Sequence, residues 1–321
     1  MGSTPSRNRS ISQRDHRALT SSILTPRVLI PFTIITLIWG STWIVIRDQL
    51  GVVPPSWSVT YRFLLAGIIM LTYARIKGQS LRLARDQVIF TMLFGLMQFS
   101  VNFNLVYRAE HYITSGLVAV VFALLLVPNA VFARIFLGQK MQRTFIIGSL
   151  IAMGGLALLF MHEARRDPGN STATLIGVGM TFAGVMAASV ANVMQATDRA
   201  HKMSMPVILG WGMLWGTIAN AALALTTSGP PVIDMRIGYL AGLAYLSIFA
   251  SAIAFTLYFG VIRAIGPAKA AYSSVIIPIL AMLISTFAEG YRWSLLAGTG
   301  CVIALIGLII ALSAKRVSTG S

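Results

Sequence analysis

The chain has 321 residues, of which 56% are hydrophobic and only 11% charged, and it carries a formal net charge of +16. A soluble chain carries about 25% charged residues, so most of this one has no water to face, and a single packed core could not hide so much apolar sequence. The basic excess lies in short gaps between apolar runs rather than on a folded polar surface, which excludes nucleic acid as a partner and points to a lipid bilayer.

Residues 1–27 are polar, with Arg7, Arg9, Arg14 and Arg17 among serines, and lack the apolar stretch of a cleavable signal peptide. They read as a disordered cytoplasmic tail. Apolar runs then fall near 28–46, 56–74, 87–107, 113–137, 143–161, 174–196, 206–227, 238–260, 267–288 and 294–313. A helix crosses the hydrocarbon layer in about 20 residues. The runs are apolar all round, whereas barrel strands alternate. The expected fold class is an all-α integral membrane protein of ten transmembrane helices. Pro54-Pro55, Lys77-Gly78, Asp167-Pro168-Gly169, Gly229-Pro230-Pro231 and Gly266-Pro267 mark turns between runs.

Ten spans put both termini on one side. Alternate segments counted from the N-terminus hold 17 Lys and Arg, and the opposite loops hold 6 (Arg47, Arg108, Arg165, Arg166, Arg236, Arg292), balanced there by 6 acidic residues. Arg62 and Arg134 lie within spans. Basic loops stay inside, so both termini are expected to be cytoplasmic, in a cell (plasma or inner) membrane.

The last two spans of each half share a layout. Thr114-Ser115-Gly116 precedes a run with Pro128, then Leu137-Gly138-Gln139-Lys140, then a helix with Gly148, Gly154 and Gly155. Pro267-Ala268-Lys269-Ala270 precedes a run with Pro278, then Glu289-Gly290-Tyr291-Arg292, then Gly298, Gly300 and Gly307. Two five-span repeats follow, at 28–163 and 174–313, joined by a linker at 164–173 and ended by a cytoplasmic tail at 314–321. Five is odd, so the second repeat enters inverted, as in many secondary transporters.

Trp39-Gly40-Ser41-Thr42-Trp43 followed by Arg62-Phe63 resembles the opening of an EamA domain, as does Tyr112-Ile113-Thr114-Ser115-Gly116-Leu117. Tyr258-Phe259, Gly266-Pro267-Ala268 and Gly290-Tyr291-Arg292 fit in the second half, so the resemblance to the drug/metabolite transporter superfamily covers about residues 30–313. It implies a ten-helix carrier of small metabolites, often an exporter of amino acids, with a cavity lined by the first, third, fourth, sixth, eighth and ninth helices. One departure is Gln139, where the family has a glutamate.

Polar residues within spans turn inward. Gln98 and Asn102 share one face of the third span; Asn129 and Asn192 lie in the fourth and sixth. Each can face a solute or hydrogen-bond a neighbouring helix. Trp39 and Ser41 in the first span, Ser251, Phe255 and Tyr258 in the eighth and Tyr272 at the start of the ninth add an aromatic and hydroxyl wall. These ten are the candidate substrate-binding residues. Arg62 can pair with an anion or clamp the fold, and Pro128 and Pro278 would kink their helices. Trp57, Trp211 and Trp293 lie near span ends, where tryptophans anchor to the interface.

No Asp or Glu falls in the core of any span; Glu110 and Glu289 are at ends, and His111 and His162 are peripheral. A buried proton switch is therefore not expected, which leaves facilitated diffusion or coupling through end-of-helix groups or through the substrate's own charge. No HExxH, GxSxG or GxxxxGK[ST] pattern is present. No enzyme activity, metal or cofactor is expected. The expected function is alternating-access efflux of a small amphipathic solute by a monomer or homodimer. The alternatives are a carrier of lipid or sugar conjugates, or a non-transporting membrane enzyme or receptor.

Overall fold

The computed structural model describes residues 26–138, 142–166, 171–258 and 273–313. Tyr272, Gln139 and the motif residues Phe259, Gly266, Pro267 and Ala268 lie outside them, as do nearly all of both expected tails.

Among the described residues every regular element is helical. Seven helices are long and apolar enough to cross a membrane. With their full bounds they are α1 (Pro26–Asp48), α2 (Pro55–Ile76), α3 (Arg85–Ala109), α4 (Ser115–Leu137), α6 (Ser171–Gln195), α7 (Met205–Ser228) and α8 (Ile237–Tyr258). Three more, α5 (Arg143–Arg166), α9 (Ser273–Ala288) and α10 (Leu295–Ser313), contain shorter described apolar stretches. Within the expected linker at 164–173, α5 continues to Arg166 and α6 opens at Ser171.

Two pairs pack as antiparallel seams. In the first, α5 lies on α10, where a β-carbon on Gly148 would meet the backbone of Gly307 and Ala311, and one on Gly155 that of Gly300 and Ala304. Glycine permits this approach and any side chain would hold the helices apart. Gly154 and Gly298 take no part, with nothing within 4 Å of an added β-carbon. In the second, α2 lies on α7 through Gly67 and Gly210, each against a leucine of the other helix. Around these seams α1 packs on α8 and α9, α6 on α3 and α4, α3 on α7, α2 on α8, and α4 on α9.

Three helices are irregular. The α4 helix breaks at Leu124–Leu125, where Leu124, Leu125 and Val127 make tight turns back to Val121, Phe122 and Leu124. Pro128 explains the position, since its ring clashes with the carbonyl four residues earlier, that of Leu124. The other two are α3 and α8, which widen into π-helical segments at Leu96–Val101 and Leu246–Ile253. Such widening displaces carbonyls from the helical ladder. They are taken sideways: Asn220 donates to Phe99 O at 3.0 Å, Asn104 to Ser100 O at 3.0 Å, and the Trp39 indole to Ala250 O at 3.1 Å. Asn104 also donates to Asn220 Oδ1 and accepts from Ser56, which makes one buried network across α2, α3 and α7.

Trp57 is not an interface anchor. Only 4% exposed, it stacks on Tyr61 and donates to Gly229 O at 3.3 Å, because the turn before α8 folds over it. Trp293 is exposed and donates to Thr286.

Candidate functional site

A cavity of about 130 Å³ lies among α1, α3, α4, α6, α8 and α9, the six helices that the resemblance implies, with Arg62 reaching in from α2. Trp39, Gln98, Asn102, Asn192, Phe255, Tyr258, Arg62 and Pro278 all line it.

The aromatic wall is built by tryptophan contacts. Trp39 meets Phe255 at 5.4 Å and Tyr258 at 5.0 Å between ring centroids, and its bond to Ala250 O fixes the indole plane. Trp43, one turn on, meets Phe122 at 5.4 Å. Its Nε1 is buried without a partner, as are Gln98 Oε1 and Asn102 Oδ1. A buried polar group left unpaired costs about 1–3 kcal/mol, so these three side chains hold hydrogen-bonding capacity that a solute or water can use.

Arg62 is 1% exposed. Its Nε donates to Ser251 Oγ at 3.0 Å and its Nη1 to the Tyr107 hydroxyl at 3.4 Å, while the guanidinium lies 4.5 Å from the Phe103 ring centre and 5.1 Å from that of Phe63. Among the described residues no carboxylate comes within 4.0 Å of it. The side chain is thus both clamped and uncompensated: neutral partners fix its place and leave its charge to attract an anion.

Three candidates stand off the lining. Ser41 accepts or donates at 2.7 Å with the Tyr245 hydroxyl and bonds its own helix, so it ties α1 to α8. Ser251 is buried behind Arg62. Asn129 accepts from Asn192 at 3.4 Å, and the neighbouring Pro128 is buried. Trp43 and Phe122 escaped the sequence reading; Trp43 stands four residues from Trp39 on the same helix face, which is the signal that could have found it.

At one end of the cavity, past Ile46, Arg62 and Val106, stands a charged cluster. Glu289, in the turn after α9, receives the Ser115 N–H at 3.2 Å and the Ser115 hydroxyl, and Arg47 Nε stands 3.7 Å away. The anion sits on the N-terminus of α4, where helix N–H groups converge. This joins the Thr114-Ser115-Gly116 motif to the Gly290-Tyr291-Arg292 turn. Beside it lies Glu110, fully buried. Its place at a helix end suggested a peripheral group; the α3–α4 turn folds inward instead. His111, next to it at the surface, is held below the ordinary histidine range by partial desolvation and by the Arg47 and Arg108 charges.

A family model described as the EamA-like transporter family matches this sequence twice, at residues 28–161 and 175–313. Protein PagO of Salmonella typhimurium strain LT2 is 23% identical over 294 residues, which cover 92% of this chain and 95% of that protein. The uncharacterized inner membrane transporter YedA of Escherichia coli K12 is 29% identical over 259 residues, 78% of this chain and 79% of its own. A solved crystal structure 20% identical superposes with a TM-score of 0.64, covering 89% of this chain and 96% of that one, a likeness of fold alone.

Proposed function

The chain belongs to the EamA-like transporter family, and from that premise we propose that it carries small zwitterionic metabolites, amino acids first among them, out of the cell by alternating access. The observation that carries this reading is the pairing, in one cavity, of an uncompensated buried Arg62 with an aromatic wall at Trp39, Phe255 and Tyr258. A carboxylate suits the guanidinium. An ammonium group suits aromatic faces and the unpartnered oxygens of Gln98 and Asn102.

The architecture in this proposal is ten crossings in two inverted five-helix repeats, with both termini cytoplasmic in the inner membrane. Three observations support it. The family model matches each half separately. Renumbering α1–α5 as α6–α10, and the reverse, carries the most extensive packing pairs onto one another: α1–α9 becomes α6–α4, α3–α7 becomes α8–α2, α3–α6 becomes α8–α1, and α5–α10, α2–α7 and α4–α9 become themselves. The π segments fall on α3 and α8, which also exchange. Export and cytoplasmic termini rest on the family resemblance and on the basic-residue asymmetry.

Thermal unfolding of the purified protein across a panel of amino acids, with decarboxylated and deaminated analogues of each, tests the substrate class. A ligand at a hundred times its Kd stabilises by about 2.7 kcal/mol. A free amino acid should raise Tm more than either analogue. In Gln98→Ala or Asn102→Ala the shift should shrink while the ligand-free Tm holds. A panel in which only sugar or lipid conjugates raise Tm would overturn the reading.

A further inference from the structure

Glu110 and Glu289 stand at the same end of the bundle in opposite circumstances. Glu289 has Arg47 and the N-terminus of α4 for company. Glu110 has both carboxylate oxygens buried with no hydrogen-bond partner, and it caps the C-terminus of α3, where helix carbonyls concentrate negative potential. An ionised carboxylate there would be an anion without donors in a low-dielectric site, which proteins avoid by keeping the group neutral. Burial first, then the Glu289 charge, push its carboxyl well above the ordinary carboxylate range, against the opposing pull of Arg47 and Arg62.

Among the described residues, those three charges act on it. Around them, the Tyr107 hydroxyl sits between Arg62 Nη1 and Gln49 Oε1. His111 beside Glu110 is exposed, and α6 brings Gly177 against Tyr112 and Ile113. Two buried or half-buried arginines are therefore near a carboxyl that neither contacts.

We infer that Glu110 is a proton-binding site tied to closure of this end of the cavity. It holds a proton while the Arg47–Glu289–Ser115 clamp excludes water, and when the clamp opens its O–H bond breaks, the proton passes to water and the carboxylate pairs with Arg47. The inference rests on the transporter reading and adds the coupling ion to it. The closed form binds one more proton than the open form, so acid favours closure. Between the ordinary carboxylate range and the raised value, each unit of rising pH shifts the balance toward the open form by up to tenfold.

The full chain in proteoliposomes, with Cys301→Ala, tests this through two reporters on the same side. One is Ile46→Cys at the closed end; the other is the exposed Val52→Cys, whose labelling corrects for thiolate chemistry. The ratio of impermeant-maleimide labelling at 46 to that at 52 should rise with pH, by up to tenfold per unit. It should stay low and flat in Glu110→Gln, and the rise should return in Glu110→Asp. Infrared difference spectra should show a protonated carboxyl band at neutral pH that Glu110→Gln removes, a readout that needs neither substrate nor transport. A flat ratio in the parent, an equal rise in Glu110→Gln, or no such band overturns the inference. If the band and the ratio behave as stated while no solute in the panel binds, the transporter reading falls and the proton site stands.

Discussion

The α5–α10 seam and the π-widened walls α3 and α8 show two ways of joining apolar helices. Along the seam, backbones touch at Gly148, Gly155, Gly300 and Gly307, and polar side chains meet at one end, Ser294 with His162 at 2.8 Å. Any sliding drives backbone into backbone. Along α3 and α8 the ladder is opened, and the displaced carbonyls are held by side chains from other helices, Asn220 and Trp39. Such bonds can lengthen or change partner at about 1 kcal/mol each, so the walls yield where the seam does not. In an alternating-access cycle the seam would brace and the walls would move.

The contrast breaks hardest at the seam. In Gly155→Leu the new side chain has no room beside Ala304, and overpacking of this kind costs about 3 kcal/mol or more. Monodisperse protein should be largely lost on size exclusion. Gly154→Leu, one residue away and facing open space, should elute normally. Equal loss in both would mean that close backbone approach does not hold the seam. A smaller effect is expected in the wall. Asn220→Ala leaves Phe99 O without its donor and removes the acceptor of Asn104, for about 2 kcal/mol. A lower Tm with unchanged elution is the expected result; no change would show that the π segment needs no side-chain support.

The seam was legible in the sequence and the walls were not, for a physical reason. Span length, glycine spacing and charge asymmetry are local properties, and they gave the helices and the glycine-rich pair, while the six lining helices came from the family resemblance. Which of the six glycines face the partner was not local: Gly154 and Gly155 are adjacent, yet only one touches α10. A π segment has no residue signature of its own, since it depends on whether side chains elsewhere can satisfy the freed carbonyls. The Asn104–Asn220 pair that does so joins residues 116 positions apart. Glu110 shows the same limit. Position along the chain fixed it at a helix end, but depth depends on how the α3–α4 turn folds, and that turn carries it under the Arg47–Glu289 contact. Among the candidate site residues, Trp39, Gln98, Asn102, Asn192, Phe255 and Tyr258 reached the cavity. Ser41 shares α1 with Trp39, and Ser251 shares α8 with Phe255 and Tyr258, but their hydroxyls are spent on Tyr245 and Arg62.

Trp39 belongs to both kinds of joint, and its smallest change separates them. Trp39→Phe keeps an aromatic ring against Phe255 and Tyr258 but removes the donor that holds Ala250 O in the α8 π segment. One interhelical hydrogen bond in a membrane protein is worth about 0.6–2 kcal/mol, so Tm should fall only slightly. The informative quantity is the ligand response. If the indole serves only as a ring facing the solute, Trp39→Phe and the parent should show similar shifts with the same amino acid. If the bond to Ala250 also fixes the wall in its binding geometry, the shift should drop several-fold while the ligand-free Tm barely moves. The second outcome is expected, because the carbonyl that Trp39 holds lies on the turn that presents Ser251, and Ser251 in turn holds Arg62. Releasing that turn would loosen the cation and the aromatic face together, although the mutated ring touches only one of them.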